Sequence, residues 1–334
     1  MATTTGSDTD SRTENESQPV ESDPEQPAAN VGWRYTVSQV RRDPTALAGL
    51  GIITIAMVVA AVAFLDQVVL PVFGIEQYAI AQAVWMSPNA EVAPQLLPPA
   101  WTTNVFGEGT WVHPLGTDDR GRDILARVFY GTRIAMSVGV IATTIALVFG
   151  MLVGSVAGYY GGRIDDVLMR AVETLYAIPF LVLVIVFMVA FGRNLTFAMI
   201  GVGIANIPTF ARLIRSRVLS VREEDYIEAA RAAGVRDRNI IFRHVIPNSF
   251  APVLVQATLQ IGVAILIVAG LSFLGFGAQP PTPSWGQMLS QSRDYMLPDP
   301  WFSIWPGLAI LITVVGFNLL GDGLRDALDP RINN

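Results

Sequence analysis

Residues 134–157 read IAMSVGVIATTIALVFGMLVGSVA, a stretch without a charged side chain. A helix of this length rises about 36 Å, which exceeds the hydrocarbon core of a bilayer at about 30 Å. Five further stretches are also predominantly apolar, at residues 46–65, 167–191, 195–214, 250–276 and 304–320. The sequence therefore predicts an all-α, polytopic membrane protein with six transmembrane helices.

The composition of the 334-residue chain supports this class. Hydrophobic residues make up 51% and charged residues 15% of the chain, and the mean hydropathy is +0.44. Soluble domains carry about 25% charged residues. There is no cysteine, which excludes disulfides and cysteine-bound metals, and the two histidines lie far apart in sequence. All 22 basic residues are arginine, so the lysine of a Walker A motif is absent. We therefore expect this chain not to be a P-loop ATPase and to hold no metal site.

The first 33 residues differ from the rest of the chain. Seven acidic residues and one arginine lie within residues 1–30, among Ser, Thr, Pro and Gln. Such a segment has too little apolar surface to offset its ordering entropy, so residues 1–33 are predicted to be a disordered acidic tail. It lacks the basic start and apolar core of a signal peptide. The acidic tail, a pI near 5.0 and the use of arginine alone suggest a prokaryotic source that is salt-adapted or GC-rich.

The arginine distribution predicts the orientation in the membrane. Six spans place both termini on one side, and an inside N-terminus would put fifteen arginines inside against six outside, leaving Arg12 aside. Positive residues are enriched on the cytoplasmic side of membrane proteins. We expect cytoplasmic termini, a first span within residues 34–66, an extracytoplasmic loop at 67–131, and a core with five spans at 132–334.

Small residues and prolines recur inside the spans. Gly150, Gly154 and Gly158 form a GxxxGxxxG ladder, which predicts close packing of two helix backbones. Pro179 and Pro208 are expected to kink the third and fourth spans, since proline removes a helix hydrogen bond.

Four amide side chains within the spans could line a pore: Asn206, Gln256, Gln260 and Asn318. Intramembrane polar groups can mark a substrate path, but interhelical hydrogen bonds worth roughly 0.6 kcal/mol explain them equally well. None of them is a charge at mid-membrane. Since ion-coupled carriers place ionisable or ion-ligating groups there, that alternative function is disfavoured.

The outer loop ends in a polar cluster that contains His113, Asp118, Asp119 and Asp123. These residue types could hold a metal, but we favour a loop stabilised by Asx turns. It is expected to lead into an amphipathic interfacial helix that carries Arg127 and Arg133.

Residues 216–248 form an arginine-rich segment between the fourth and fifth spans. Residues 226–233 consist largely of helix formers, and Gly234 is suited to a left-handed C-cap. Asp237 is expected to cap a second short helix over 238–245 that Pro247 ends, with Asn248 or Ser249 capping the next span.

The small residues Ala229 and Ala230 would let the first helix lie deep in a partner's groove, with Glu228 and nearby arginines pairing at the rim. An amphipathic loop on the lipid surface is the alternative. The paired helices and the small-residue face favour docking.

Four sequence segments carry a family resemblance. They are EAARAAG at 228–234 followed by HVIP at 244–247, GTDDRGRD at 116–123, QPPTPSWG at 279–286, and NLLGDGLRDALDP at 318–330. The first resembles the EAA loop of ABC-importer permeases. Together the four resemble the C-type permease subunit of dipeptide, oligopeptide and nickel importers.

The resemblance implies a type I importer permease fold whose cytoplasmic EAA loop, residues 216–248, forms a coupling helix seated in an ATPase. The implied coupling residues are Tyr226, Glu228, Ala229, Ala230, Gly234, Arg238, His244 and Pro247. The implied partners are a second homologous permease, two ATP-binding subunits that carry ATP and Mg²⁺, a substrate-binding protein and membrane lipid. The resemblance also implies a transport subunit without its own ATPase site and not an enzyme, with no nucleic acid partner and no cofactor on this chain. Di- or oligopeptides are the expected substrates, and nickel chelates or other small solutes are the alternative.

Overall fold

The computed structural model describes residues 33–328. The predicted acidic tail at 1–33 lies almost wholly outside the described residues. Within them most residues lie in helices, and the two short strands form one antiparallel hairpin.

Five helical stretches in the described range are long and apolar enough to cross a membrane: Pro44–Val72, Ile124–Tyr160, Leu195–Arg222, Asp237–Phe273 and Trp301–Leu328. A sixth span is present if the bent pair Gly162–Ala177 and Phe180–Phe191 is taken together. The predicted all-α membrane class is therefore confirmed.

The elements follow one another along the chain as helices α1 to α13 and strands β1 and β2. The first group is α1 (Trp33–Val40), α2 (Pro44–Phe64), a π-helical turn (Leu65–Val69), α3 (Leu70–Val72), α4 (Ala79–Val84), β1 (Thr103–Asn104) and β2 (Gly107–Glu108). The second is α5 (Ile124–Tyr160), α6 (Gly162–Ala177), α7 (Phe180–Phe191), α8 (Leu195–Arg222) and α9 (Asp225–Ala232). The third is α10 (Asp237–Ile240), a π-helical turn (Ile241–Val245), α11 (Ile246–Phe273), α12 (Trp285–Ser292), a 3₁₀ turn (Arg293–Tyr295) and α13 (Trp301–Leu328).

The third predicted span is not one kinked helix. Helices α6 and α7 meet at 90° at Ile178 and Pro179. Ile178 is extended, at φ −78° and ψ 129°, because a following proline disfavours the helical conformation of the residue before it. With 12 residues, α7 rises only about 18 Å and is too short to cross a bilayer alone.

The predicted interfacial helix before the second span is not a separate helix. Helix α5 begins at Ile124 and runs unbroken for 37 residues, so Arg127 and Arg133 lie on its first turns. The Asp123 side chain caps it by accepting a hydrogen bond from the Ala126 N–H at 2.7 Å. This cap starts the helix ten residues earlier than the apolar stretch alone indicates.

The polar groups around this helix start pair with one another. Arg122 donates to Asp118 at 2.7 Å, and both side chains are buried. His113 Nδ1 lies 2.9 Å from an Asp123 oxygen. Among residues 33–328, no group of three or more His, Cys, Asp or Glu side chains is arranged to hold a metal ion. Arg127, in the first turns of α5, lies 3.4 Å from an Asp118 carboxylate oxygen, so an ion pair ties the outer loop to α5.

Helix α5 is the centre of the bundle, packing along α8 and also contacting α2 and α11. The glycine ladder faces α8: a Cβ at Gly154 would lie 2.5 Å from the carbonyl oxygen of Ala211. Gly150 and Gly158 approach the same helix. The predicted close backbone packing is confirmed, and it joins α5 to the helix that leads into the polar segment. Helix α8 continues from Leu195 to Arg222 with Pro208 inside it, and the kink predicted at Pro208 stays a prediction.

The candidate coupling surface

Helix α9 begins three residues after α8 ends, with Asp225 and Glu228 in its first turn. Acidic side chains are favoured there by the helix dipole. At the other end Gly234 adopts φ +74°, and the Val235 N–H donates to the Ala230 carbonyl at 3.1 Å. The left-handed C-cap predicted for Gly234 is confirmed.

The separate second helix predicted over 238–245 is not present. Helix α10 continues through the π-helical turn into α11, so one helical stretch runs from Asp237 to Phe273. Pro247 lies in the first turn of α11 and does not end a helix. The wider π turn before it accommodates a residue that lacks an N–H.

The predicted caps near Pro247 are also wrong. The Asn248 amide donates to the His244 carbonyl at 2.7 Å, and the Ser249 hydroxyl donates to the Val245 carbonyl at 2.8 Å. Both bonds run back along the continuous helix.

Helix α9 has one buried and one exposed face. Ile227 is 0% exposed and packs in a cluster with Ile240 and Val245. Ala230, three residues further on, packs against the same cluster. Glu228 and Ala229 point away from the bundle and are exposed. Burial of Ile227 contributes roughly 1.5–3 kcal/mol to holding α9 on the bundle.

Polar contacts fasten both ends of α9. At the start, the Tyr226 hydroxyl accepts a hydrogen bond from the Asn248 amide at 3.1 Å, and the ring lies 6.4 Å from the His244 ring. At the end, the Arg231 guanidinium lies over the Tyr159 ring at 5.0 Å. The helix is therefore held at three points, while Glu228 and Ala229 remain exposed.

The predicted coupling residues fall into two groups. Those exposed to solvent are Tyr226, Glu228, Ala229, Gly234, Arg238 and Pro247, while Ala230 and His244 are half-buried. Ala230, His244 and Tyr226 contact neighbouring helices. The remaining five residues are exposed and accessible to a partner. The exposed alanine and glutamate therefore form the part of the surface that a partner could contact.

Sequence reasoning missed the residues that anchor this surface. Ile227 could have been found, because it is an isolated apolar residue one position before Glu228. Tyr159 had no such signal, since its hydrogen-bond partner Asp237 is 78 residues away in sequence.

The four predicted pore-lining amides lie on three helices, α8, α11 and α13. Asn206 donates to the Val202 carbonyl of its own helix at 2.9 Å, so its bond is not interhelical. Gln260 is buried, Gln256 is half-buried and Asn318 is exposed. Within the described residues, no hydrogen bond joins any two of them. Their role in a pore stays a prediction.

Comparison with known proteins gives a consistent result. The profile of the family described as "Binding-protein-dependent transport system inner membrane component" matches residues 146–334. A dipeptide transport system permease protein of Alkalihalophilus pseudofirmus is 42% identical over 90% of this chain and 91% of its own length. A glutathione transport system permease protein of Pectobacterium atrosepticum is 44% identical over 66% of this chain and 74% of its own.

Among solved structures, an inward-facing form of the MetNI methionine ABC transporter contains a similar chain. The TM-score is 0.50 at 21% identity, over 61% of this chain and 97% of the other. At this identity the likeness concerns the fold alone.

Fold and surface together define a helical membrane protein: a helical bundle with a short helix held on its surface between two spans. The chain belongs to the binding-protein-dependent transport system inner membrane component family, the permease subunits of ABC importers. In this family ATP is hydrolysed by partner subunits, and the permease works with ATPase and substrate-binding subunits in the cell membrane. The predicted family and its non-enzymatic role are therefore confirmed.

Proposed function

We propose that this protein is the permease subunit of an importer for di- or oligopeptides, and that α9 is its docking element for an ATPase. The single observation that carries the docking assignment is the geometry of α9. Its apolar side is buried through Ile227, both its ends are fastened, and Glu228 and Ala229 face outward. A rigid helix with a small exposed face fits a groove in a partner.

Charge at the rim of this helix supports a protein partner. Arg236 and Arg238, which follow α9 along the chain, are exposed, and so is Glu228 on α9 itself. Charged groups at the rim of an interface set orientation and association rate more than affinity. A groove with complementary charges would fix how α9 sits in the ATPase.

The proposed mechanism assigns no covalent chemistry to this chain. Two ATP-binding subunits, with ATP and Mg²⁺ between them, would close and push on α9 here and on the equivalent helix of a second, homologous permease. The movement would pass to the bundle, because α9 packs on the start of the Asp237–Phe273 helix. The two permeases would form the pore between them and open it alternately to either side.

Peptides are proposed as substrates because relatives with 41–44% identity are named for dipeptide, di/tripeptide and glutathione transport. Nickel chelates or other small solutes are the alternative. The exposed pore-lining candidate Asn318 and the half-buried Asn206 and Gln256 are the residues we propose to contact substrate.

The orientation is part of the proposal. The excess of arginine on one side favours cytoplasmic termini, which would place α9 in the cytoplasm and the 67–131 loop towards the binding protein. We propose a prokaryotic cell membrane as the location. The salt-adapted source stays a prediction from composition.

Reconstitution tests this function. The chain, purified with a terminal tag from its native membrane, should bring with it a second permease and two ATP-binding subunits. In liposomes with the cognate binding protein, we expect ATP-dependent uptake of a labelled dipeptide. Competition by unlabelled tripeptides but not by a nickel chelate would support the peptide assignment. Uptake of the chelate alone would overturn it, and uptake that follows an ion gradient without ATP would overturn the importer mechanism.

A further inference from the structure

Tyr159, at the cytoplasmic end of α5 in the proposed orientation, connects elements that the sequence separates widely. Its side chain is 5% exposed, and its hydroxyl donates to an Asp237 carboxylate oxygen at 2.7 Å. Asp237 is the first residue of the helical stretch that runs to Phe273. One hydrogen bond thus joins the end of α5 to the start of the helix after α9.

The same tyrosine also contacts α9. Arg231, in the last turn of α9, places its guanidinium 5.0 Å from the Tyr159 ring centre. Its Nε donates to the Tyr159 hydroxyl oxygen at 3.4 Å. A guanidinium over a tyrosine face within about 6 Å is a favourable cation–π arrangement. The hydroxyl oxygen of Tyr159 therefore lies between the two ends of the loop that contains Gly234.

A third contact fixes the backbone at Tyr159. Arg222, the last residue of α8, places Nη1 3.4 Å from the carbonyl oxygens of both Gly158 and Tyr159. A polar pocket of about 370 Å³ lies here, lined by Tyr159, Tyr160, Arg222, Glu223, Arg231 and Asp237. The residues before α9, after α9 and at the end of α5 are thus joined at one point.

We propose that Tyr159, Arg231 and Asp237, here named the Tyr159 clasp, form the link that transmits movement of α9 to α5. The inference rests on the proposed docking of α9 and adds a positioning residue to it. Ile227 holds α9 on the bundle by apolar packing, but this packing gives no directional bond between α9 and α5. A hydrogen bond to a carboxylate is short and directional, so the Tyr159–Asp237 bond fixes the angle between the end of α5 and the start of α10. Helix α5 then carries the movement to α8 through the glycine ladder.

Tyr159→Phe is the direct test, because it removes the hydroxyl and keeps the ring over which Arg231 lies. In reconstituted complexes we expect the amount of substrate transported per ATP hydrolysed to fall by roughly ten-fold, as for loss of a hydrogen bond to a charged group. The rate of ATP hydrolysis should stay within about two-fold, since no docking contact is removed. A merely structural role would lower the transport rate and the rate of ATP hydrolysis together, in proportion to the folded complex, and would leave the amount transported per ATP unchanged.

Tyr160→Phe is the matched control. Tyr160 is the next residue, 47% exposed, and within the described residues its hydroxyl has no hydrogen-bond partner. Its variant should behave as the unmodified protein. At the other end, Asp237→Asn keeps an oxygen that accepts the tyrosine hydrogen bond but lacks the charge, so its loss of transport per ATP should be smaller than that of Tyr159→Phe. Asp237→Ala should resemble Tyr159→Phe, and the double variant should lose little more than either single one.

The outcomes separate this inference from the docking assignment. Crosslinking from the Ala229→Cys variant to the ATPase reports docking independently of the clasp. If that crosslink forms and Tyr159→Phe transports normally per ATP, the clasp is refuted and docking stands. If the crosslink fails in the otherwise unmodified protein, the docking assignment itself falls. Additive losses in the double variant would also overturn the clasp.

Discussion

Gly234→Val tests how the end of α9 contributes to transport. Gly234 adopts φ +74°, and a Cβ built on it meets nothing within 4 Å. The substitution therefore causes no steric clash with neighbours, and its cost comes from the backbone alone. The left-handed conformation costs an L-residue about 1–2 kcal/mol, and a β-branched side chain is the least tolerant. This corresponds to a factor of about 5–30 in the population of the native turn.

The assay is transport per ATP in liposomes that contain the partner subunits and the binding protein. Gly234→Val should reduce this ratio by about 5- to 30-fold while the amount of inserted protein stays normal. Gly234→Asn is the matched control, because asparagine tolerates the left-handed conformation. It should retain most of the activity. Normal coupling in the valine variant, or an equal loss in the asparagine variant, would refute the assignment of this turn.

Three further predictions concern stability and local order. Ile227→Ala removes the buried anchor of α9 and should destabilise its attachment by about 2–5 kcal/mol, seen as faster amide exchange over residues 225–236. Unchanged exchange there would contradict the packing. Gly154→Val should lower the thermal stability in detergent by about 1–3 kcal/mol because of the Ala211 carbonyl oxygen at 2.5 Å, whereas Gly51→Val, with nothing within 4 Å, should not. Burial raises the pKa of Asp299, which lies just before α13, to about 6 although Asn104 opposes the shift. A raised carboxyl pKa stabilises the fold below about pH 4, and this contribution is lost as the pH rises through about 6. Asp299→Asn should therefore shrink the stability difference between about pH 5 and pH 8 by roughly 1–2 kcal/mol, and an unchanged difference would contradict the burial of this carboxyl.

Much of the fold was predictable because it depends on local pattern. Apolar length predicted five of the spans, and the glycine ladder predicted the contact of α5 with α8. The left-handed cap at Gly234 followed from residue type alone. Each of these features is set by nearby residues and by the thickness of the bilayer.

The errors arose where tertiary packing overrides a local signal. Pro179 predicted a kink, but the chain turns by 90°, and proline alone does not set the angle. Pro247 predicted a helix end, but a π turn lets the helix continue past it. The Tyr159 clasp depends on residues far apart in sequence, which no local pattern contains.

The most direct test of the account is a crosslink from the exposed face of α9. The chain has no cysteine, so Ala229→Cys provides a unique site for a photoreactive benzophenone maleimide. Val105→Cys, 81% exposed on the outer hairpin, serves as a control that labels equally well. After illumination of the assembled complex, we expect Ala229→Cys to crosslink an ATP-binding subunit and Val105→Cys not to do so. Crosslinks from Ala229→Cys to lipid alone would show that α9 rests on the membrane and would contradict the coupling role.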